Sequence, residues 1–187
     1  YISLETGFES EWVSVAVPLS SNFYGTLEVP TGWHRLEFRF MNAEAQIALQ
    51  SVNPVGVGEV FIVAGQSNSA NSGETPLTPT DSRVSTWGPS GWRFGYDPQP
   101  AATGGSGSPW PVAGDLLASR YDVPIGFLSV GYGGTQVDRW VPSQNDLFPR
   151  ITDALDAVEP NGARAILWHQ GESNAGGTAA DDYARML

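Results

Sequence analysis

The sequence lacks cysteine and lysine altogether, and it has no long apolar run. The absence of cysteine excludes disulfides, thiolate zinc sites and cysteine nucleophiles. No segment approaches the ~20 apolar residues of a membrane-spanning helix, so we expect no membrane insertion. The nine basic residues are all arginines and face 20 acidic ones, which gives a net charge of −11. Because this charge repels a phosphate backbone, we expect no nucleic-acid partner.

What is present is typical of a globular protein. The 187 residues are 41% hydrophobic and include 22 glycines, 14 prolines and seven tryptophans. The apolar content excludes wholesale disorder, and the length suits one medium domain or a small domain followed by an incomplete larger one. An acidic, cysteine-free chain rich in glycine and tryptophan suits exposure to the outside. We therefore expect an extracellular, cell-surface or particle-borne protein.

Residues 1–57 predict a small β-rich accessory domain. Apolar and polar residues alternate over residues 12–17 and 36–40, and turn signals occur at 20–22 and 30–32. Short alternating runs between such turns favour a small antiparallel sheet or sandwich. We interpret residues 53–56 as the exit linker of this domain. We expect His34 to be a surface or interface residue.

Residues 58–187 have the pattern of an α/β domain. Near-continuous apolar runs cover residues 59–64, 125–130 and 164–168, as is typical of parallel strands covered on both faces. A shorter helix is predicted over residues 112–121, with Pro111 at its start. A second, amphipathic helix is predicted from four regularly spaced apolar residues. These residues are Leu147, Ile151, Leu155 and Val158.

Two further segments shape the expected organisation. Residues 70–110 are rich in proline and glycine, and we interpret them as a long surface loop rather than a separate domain. Residues 178–187 begin like a capped helix with acids in its first turn and then stop. Because only three convincing parallel strands precede this helix, we expect the second domain to be incomplete at its C-terminal side.

A serine follows the first buried strand in the run Gly65-Gln66-Ser67-Asn68. A serine at the carboxyl end of such a strand lies at the sheet edge where α/β sites form. Backbone N–H groups of a following helix would point at the same place and suit an anion. The alternative is an ordinary turn with local side-chain hydrogen bonds, which the four residues alone do not exclude.

Two more candidate loops follow the second and third strands. The run from Gly131 to Thr135 contains adjacent glycines, whose N–H groups can approach a ligand closely; the alternative is a plain turn. In the run from 168 to 174, Gln170 can donate to an oxyanion and Glu172 can orient its neighbours. We interpret His169 as a structural residue rather than a catalytic base. No metal-ligand spacing such as His-Glu-x-x-His occurs, so we expect no metal and no cofactor.

The three loops share one location, because the carboxyl ends of parallel strands lie at the same edge of a sheet. Together with residues 108–111 and 140–142, the runs over 59–68, 133–135 and 168–172 closely resemble the sialate O-acetylesterase-like branch of the SGNH hydrolases. Acetylxylan esterases of carbohydrate esterase family six share this pattern. The resemblance covers residues 58–187. It implies a flavodoxin-like, three-layer α/β/α SGNH domain, preceded here by the small β-rich domain.

The resemblance also implies a serine esterase acting on an acetylated carbohydrate. Ser67 would be the nucleophile, and the backbone N–H groups of Ser67 and of Gly133 or Gly134 would hold the oxyanion, with the Gln170 side chain as a third donor. Glu172 matches an acidic position of the family. Supporting roles at the site fall to a set of polar residues. They are Gln66, Asn68, Glu172 and Asn174.

One departure from the family pattern concerns the general base. The family takes its base from an Asp-x-x-His segment near its C-terminus, and no histidine follows Asn174 here. A serine hydroxyl without a base is a poor nucleophile. We therefore expect residues 1–187 alone to be nearly inactive, and an additional chain or C-terminal segment to complete the active site.

Two alternatives to a carbohydrate esterase are kept. The first is a non-catalytic carbohydrate-binding or adhesion module of a secreted or viral assembly, which would retain the esterase fold without the base. The second, weaker one is an acyl hydrolase for lipid or small esters. Four tryptophans are candidates for stacking on sugar rings: Trp87, Trp92, Trp110 and Trp140. For Trp110 and Trp140, the alternative is a role as core anchors.

Overall fold

The computed structural model describes residues 1–14, 25–144 and 146–187. Contacts divide the chain into two compact units, Tyr1–Gly58 and Glu59–Leu187. Each unit contains its own β-sheet. The candidate site residues all belong to the second unit.

The first unit is a three-stranded antiparallel sheet. Its strands are β1 (Ile2–Ser3), β2 (Gly32–Asn42) and β3 (Ala45–Val57), in the order β1-β2-β3. The alternating run over 36–40 lies in β2, which confirms that strand. Of the other alternating run, residues 12–14 lie in no strand. Residues 15–17 and the turn signal at 20–22 lie outside the described residues.

Two predictions for this unit are wrong. Residues 53–56 are not a linker, because they lie inside β3, where Val55 and Gly56 pair with β2. His34 is not a surface residue, because it is 1% exposed. Residues alternate between the two faces of β2, and His34 lies on the face that is buried at the start of the strand. Its Nε2 lies 2.8 Å from the Pro30 carbonyl oxygen, and its ring meets that of Tyr1 edge-on at 5.2 Å.

The second unit is built on a five-stranded mixed sheet. Its strands are β4 (Glu59–Gly65), β5 (Val84–Gly88), β6 (Gly91–Phe94), β7 (Ile125–Ser129) and β8 (Ala165–His169). The order is β6-β5-β7-β4-β8, with all neighbours parallel except β5 and β6. The three predicted strands are confirmed as β4, β7 and β8. Their spatial order, β7-β4-β8, places the first of them between the other two, as in flavodoxin-like sheets.

Three α-helices accompany this sheet. They are α1 (Trp110–Tyr121), α2 (Phe148–Asp156) and α3 (Ala180–Met186). Both predicted helices are confirmed, although α2 ends before Val158. Short 3₁₀ turns occur at Ser67–Ser69, Val137–Trp140 and Pro142–Gln144. None of the helices in the described part of the chain is long and apolar enough to span a bilayer.

The inner strands β4 and β7 are covered on both faces of the sheet, which gives the predicted α/β layers. Alternate residues of β4 face opposite ways: Ile62 and Ala64 belong to one apolar cluster and Phe61 and Val63 to the other. The first cluster includes residues of α2 and the second includes residues of α1. Side chains of β4 and β7 in both clusters are almost wholly buried. This packing fixes the carboxyl end of β4 between its two neighbours.

Two predictions for the second unit need correction. Residues 70–110 are not simply a surface loop, because they contain β5 and β6, and Val84 and Thr86 of β5 are buried in the sheet. The third apolar run, β8, is not covered on both faces. It is an edge strand of the sheet, and Ala165 and Ile166 are exposed.

Candidate active site

Three loops meet at the carboxyl end of β4. Because β4 lies between β7 and β8, the loops that follow those two strands flank the turn after β4. The Gln66 N–H donates to the His169 carbonyl oxygen at 3.0 Å, and the Tyr132 N–H donates to the Gly65 carbonyl oxygen at 2.8 Å. The structure thus brings the three predicted loops together at one edge of the sheet.

The turn that carries Ser67 depends on Gly65. This glycine has φ +127°, and a Cβ atom on it would lie 2.1 Å from the carbonyl oxygen of His169, so only glycine fits. Ser67 is half-buried and begins a single 3₁₀ turn rather than a longer helix. Among the described residues, no acceptor pairs with the backbone N–H of Ser67 or of Asn68. Two backbone donors are therefore available beside the Ser67 hydroxyl.

Gln66 connects this turn to the loop after β8. Its side chain is 3% exposed. Its Oε1 accepts hydrogen bonds from the Ser173 N–H at 3.0 Å and from Gln170 Nε2 at 3.2 Å. The Gly171 N–H is a third donor, at 3.5 Å. A buried amide oxygen with three donors is a strong local constraint, because leaving those donors unpaired would be costly. Gln66 thus links two of the site loops, and its supporting role in catalysis stays a prediction.

Gln170 lies next to the Ser67 turn, but its amide group is fully engaged. Its Nε2 has three acceptors within hydrogen-bonding distance: Gln66 Oε1, the Thr135 carbonyl oxygen at 3.0 Å and Asn174 Oδ1 at 2.6 Å. Its Oε1 accepts from the Tyr183 hydroxyl at 2.6 Å. Since an amide has only two N–H donors, neither is left free in this arrangement. The predicted role of Gln170 as an oxyanion donor stays a prediction.

Asn174 fastens the third loop to the second. It is buried, and its Oδ1 also accepts from the Val137 N–H at 3.0 Å. Its Nδ2 donates to Thr178 Oγ1 at 2.8 Å. The Thr178 side chain bonds to Asn174, and no side chain caps the start of α3. Asn174 therefore links the third loop to the second loop and to the start of α3.

The glycines of the second loop differ in their hydrogen bonding. The Gly133 N–H donates to Thr103 Oγ1 at 2.7 Å. Gly134 has φ +71° and is exposed, and its N–H has no acceptor in the described part of the chain. Of the two predicted oxyanion donors in this loop, Gly134 is the one with a free N–H.

Glu172, Asn68 and His169 form a polar cluster beside Ser67. Glu172 Oε1 accepts a hydrogen bond from Asn68 Nδ2 and lies 3.3 Å from His169 Nε2. Its own backbone N–H, followed by Asn68 and His169, holds the pKa of the Glu172 carboxyl below its usual value. The His169 side chain, interpreted from sequence as structural, is 53% exposed and pairs with this carboxylate.

The tryptophans divide into core and surface residues. Trp110 and Trp140 are buried in the two apolar clusters, so they are core anchors. Their indole N–H groups donate to the Ser69 carbonyl oxygen at 2.9 Å and to Thr135 Oγ1 at 3.0 Å, which supports two of the site loops. Trp92 is exposed, and Trp87 is half-buried.

Sequence reasoning missed two residues that hold the site loops. Thr103 bonds to the second loop, and Tyr183 donates to Gln170 Oε1. Neither belongs to a recognisable motif, and Thr103 lies in the segment predicted as a surface loop. Within residues 1–14, 25–144 and 146–187, no cluster of three or more histidine, aspartate or glutamate side chains could hold a metal ion.

Comparisons with known proteins decide the family. Residues 57–187 match the model of the family described as carbohydrate esterase, sialic acid-specific acetylesterase. The chain belongs to this family. By its description, this is a family of carbohydrate esterases. The match also confirms the resemblance to the sialate O-acetylesterase-like branch.

Solved structures are similar at low sequence identity. A protein of Arabidopsis thaliana superimposes with a TM-score of 0.50 at 18% identity, over 62% of this chain and 58% of that one. XAC1771 of Xanthomonas citri, a carbohydrate acetylesterase, gives a TM-score of 0.49 at 21% identity, over 76% of this chain and 39% of that one. The first likeness shows the fold alone, and the aligned part is little more than half of that structure. No curated protein matches the sequence.

Proposed function

We propose that this member of the sialic acid-specific acetylesterase family is a carbohydrate O-acetylesterase with Ser67 as its nucleophile. The main support is the position of Ser67 on a turn at the end of β4, an inner strand between β7 and β8, beside two unpaired backbone N–H groups. The loop after β7 offers the unpaired N–H of Gly134. Gln170, in the loop after β8, would have to release one of its present acceptors to serve as a third donor. The substrate would be an acetyl ester on a polysaccharide or a sialic-acid-like sugar.

In the proposed reaction, Ser67 Oγ attacks the ester carbonyl carbon and its proton passes to a general base. The carbonyl oxygen becomes an oxyanion, which accepts hydrogen bonds from the N–H groups of Ser67 and Gly134. The ester C–O bond then breaks, and the sugar hydroxyl leaves with the proton held by the base. Water, deprotonated by the same base, hydrolyses the acetyl-serine to acetate and restores Ser67.

The general base is proposed to be a histidine supplied from outside residues 1–187, by a further segment or another chain. Two observations support this. His34 is buried in the sheet of the first unit. His169 pairs with Glu172, and no hydrogen bond links its ring to Ser67.

The proposal is tested by acetate release from an aryl acetate and from acetylated oligosaccharides, using the full-length protein. Ser67→Ala should abolish release, because no other group replaces the nucleophile. Ser72→Ala changes an exposed serine five residues further on and should leave release unchanged. Turnover that persists in Ser67→Ala would remove this serine from the mechanism.

A second candidate is a non-catalytic carbohydrate-binding module of a secreted or particle-borne assembly. It is favoured by the Ser67 hydroxyl, which has no hydrogen-bond partner among the residues described and so meets no base there. This candidate predicts that acetylated sugars bind, as measured by calorimetry, without any release of acetate. Detection of acetate that depends on Ser67 excludes it.

A further inference from the structure

Thr103 lies between β6 and α1 and contacts the second loop of the candidate site at two points. The Thr103 N–H donates to the Gly131 carbonyl oxygen at 3.0 Å. Thr103 Oγ1 accepts from the Gly133 N–H at 2.7 Å. A single residue thus holds both the start and the middle of the loop that runs from Gly131 to Thr135.

Thr103 is itself held by Asn71, which comes just after the turn carrying Ser67. The Asn71 N–H donates to the Thr103 carbonyl oxygen at 3.0 Å. Asn71 is 2% exposed, and its side chain makes two bonds to the backbone of Gln99, at 2.6 Å and 2.9 Å. A buried, fully bonded amide of this kind is rigid. A chain of hydrogen bonds therefore joins the Ser67 turn to the glycine loop through Asn71 and Thr103.

The Thr103 hydroxyl also determines which glycine N–H is available. It occupies the N–H of Gly133, whereas the N–H of Gly134 is unpaired among the described residues. Gly134 has φ +71° and open space around the position of a Cβ atom, so a ligand could approach its backbone closely.

We infer that Thr103 is a positioning residue of the esterase. It fixes the loop from Gly131 to Thr135 relative to Ser67, and it engages Gly133 so that the Gly134 N–H is the donor that this loop offers to the oxyanion. The inference rests on the proposed function, because it concerns the geometry of that reaction. Its effect on the rate follows from the steep dependence of catalysis on the placement of donors.

Two matched variants test the role of the hydroxyl. Thr103→Val keeps the size of the side chain and removes the hydroxyl, which accepts from the Gly133 N–H and donates to the Gly131 carbonyl oxygen at 3.5 Å. Thr103→Ser keeps this hydroxyl. In the full-length protein, we expect Thr103→Val to lower kcat for an aryl acetate by about tenfold with KM nearly unchanged. Thr103→Ser should stay close to wild type. Equal kcat values in all three proteins would overturn the inference.

Amide hydrogen exchange gives a readout that does not depend on activity. The Gly133 amide should exchange slowly in wild type and in Thr103→Ser, and about tenfold faster in Thr103→Val because its acceptor is lost. An unchanged Gly133 rate in Thr103→Val would contradict the inference. If wild type releases no acetate, the proposed function fails, and the exchange rates still decide whether Thr103 holds the loop.

Discussion

The side-chain oxygen of Gln66 accepts a hydrogen bond from the Ser173 N–H at 3.0 Å, which joins the turn after β4 to the loop after β8. The two residues are 107 positions apart in the chain. The contact is backed by the bond from the Gln66 N–H to the His169 carbonyl oxygen. The position of Ser67 relative to the third loop therefore depends on the residue that precedes it.

Replacing Gln66 with methionine should destabilise the protein and reduce its activity. Methionine preserves the volume but leaves the N–H groups of Ser173 and Gln170 without this acceptor. We expect the free energy of unfolding to fall by about 1–3 kcal/mol, as measured by urea denaturation. Gln136→Met is the matched control, because Gln136 is exposed and makes one bond to the Ser173 carbonyl oxygen. Equal losses in the two variants would contradict the account of Gln66.

Gly65→Ala should be among the most damaging small substitutions. Its methyl group would overlap the backbone of His169, and φ +127° is unfavourable for any residue with a Cβ atom. We expect the free energy of unfolding to fall by about 3 kcal/mol or more. The thermal unfolding midpoint and the yield of folded protein should both fall. Gly105→Ala provides the comparison, because nothing lies within 4 Å of a Cβ atom there. A stable Gly65→Ala variant with wild-type activity would show that the turn has another conformation.

Glu172→Gln should change how stability depends on pH. Because the pKa of Glu172 is lowered in the folded protein, its ionised form contributes stability above the ordinary glutamate pKa of about 4.3, and this contribution is lost as the pH falls through the lower folded-state value. The carboxylate is 43% exposed, so the contribution should stay below about 1 kcal/mol. The variant should be less stable than wild type at pH 7, and the gap should close in acid.

Chemical denaturation across this pH range measures the gap. Glu74→Gln serves as the control, because Glu74 is exposed and its side chain makes no hydrogen bond or ion pair among the described residues. A stability difference between wild type and Glu172→Gln that stays constant from neutral pH into acid would contradict the assignment of the lowered pKa to this carboxyl.

Three strands of the second unit, β4, β7 and β8, and the loops that follow them could be predicted because their signals are local. The apolar runs that became β4 and β7 are continuous, and each is followed at once by glycine and polar residues. Parallel strands then bring those loops to one edge whatever their separation in sequence. The presence of Gln66 next to Gln170 follows from this topology.

The remaining features depend on tertiary contacts that the pattern does not encode. The hairpin of β5 and β6 lies in a segment rich in proline and glycine, and the sheet stabilises it by burying Val84 and Thr86. The pairing of Gly133 with Thr103 likewise depends on how that segment folds back. The burial of His34 depends on which face of β2 is covered.

The central claim is that Ser67 is the nucleophile, and covalent labelling of this serine tests it most directly. The full-length protein is treated with a fluorophosphonate, which forms a stable ester with an activated serine, and the modified residue is located by tandem mass spectrometry. We predict a single adduct on Ser67, which is absent from Ser67→Ala and present in Ser72→Ala. An adduct on another residue, or acetate release that continues after Ser67 has been fully modified, would contradict the claim.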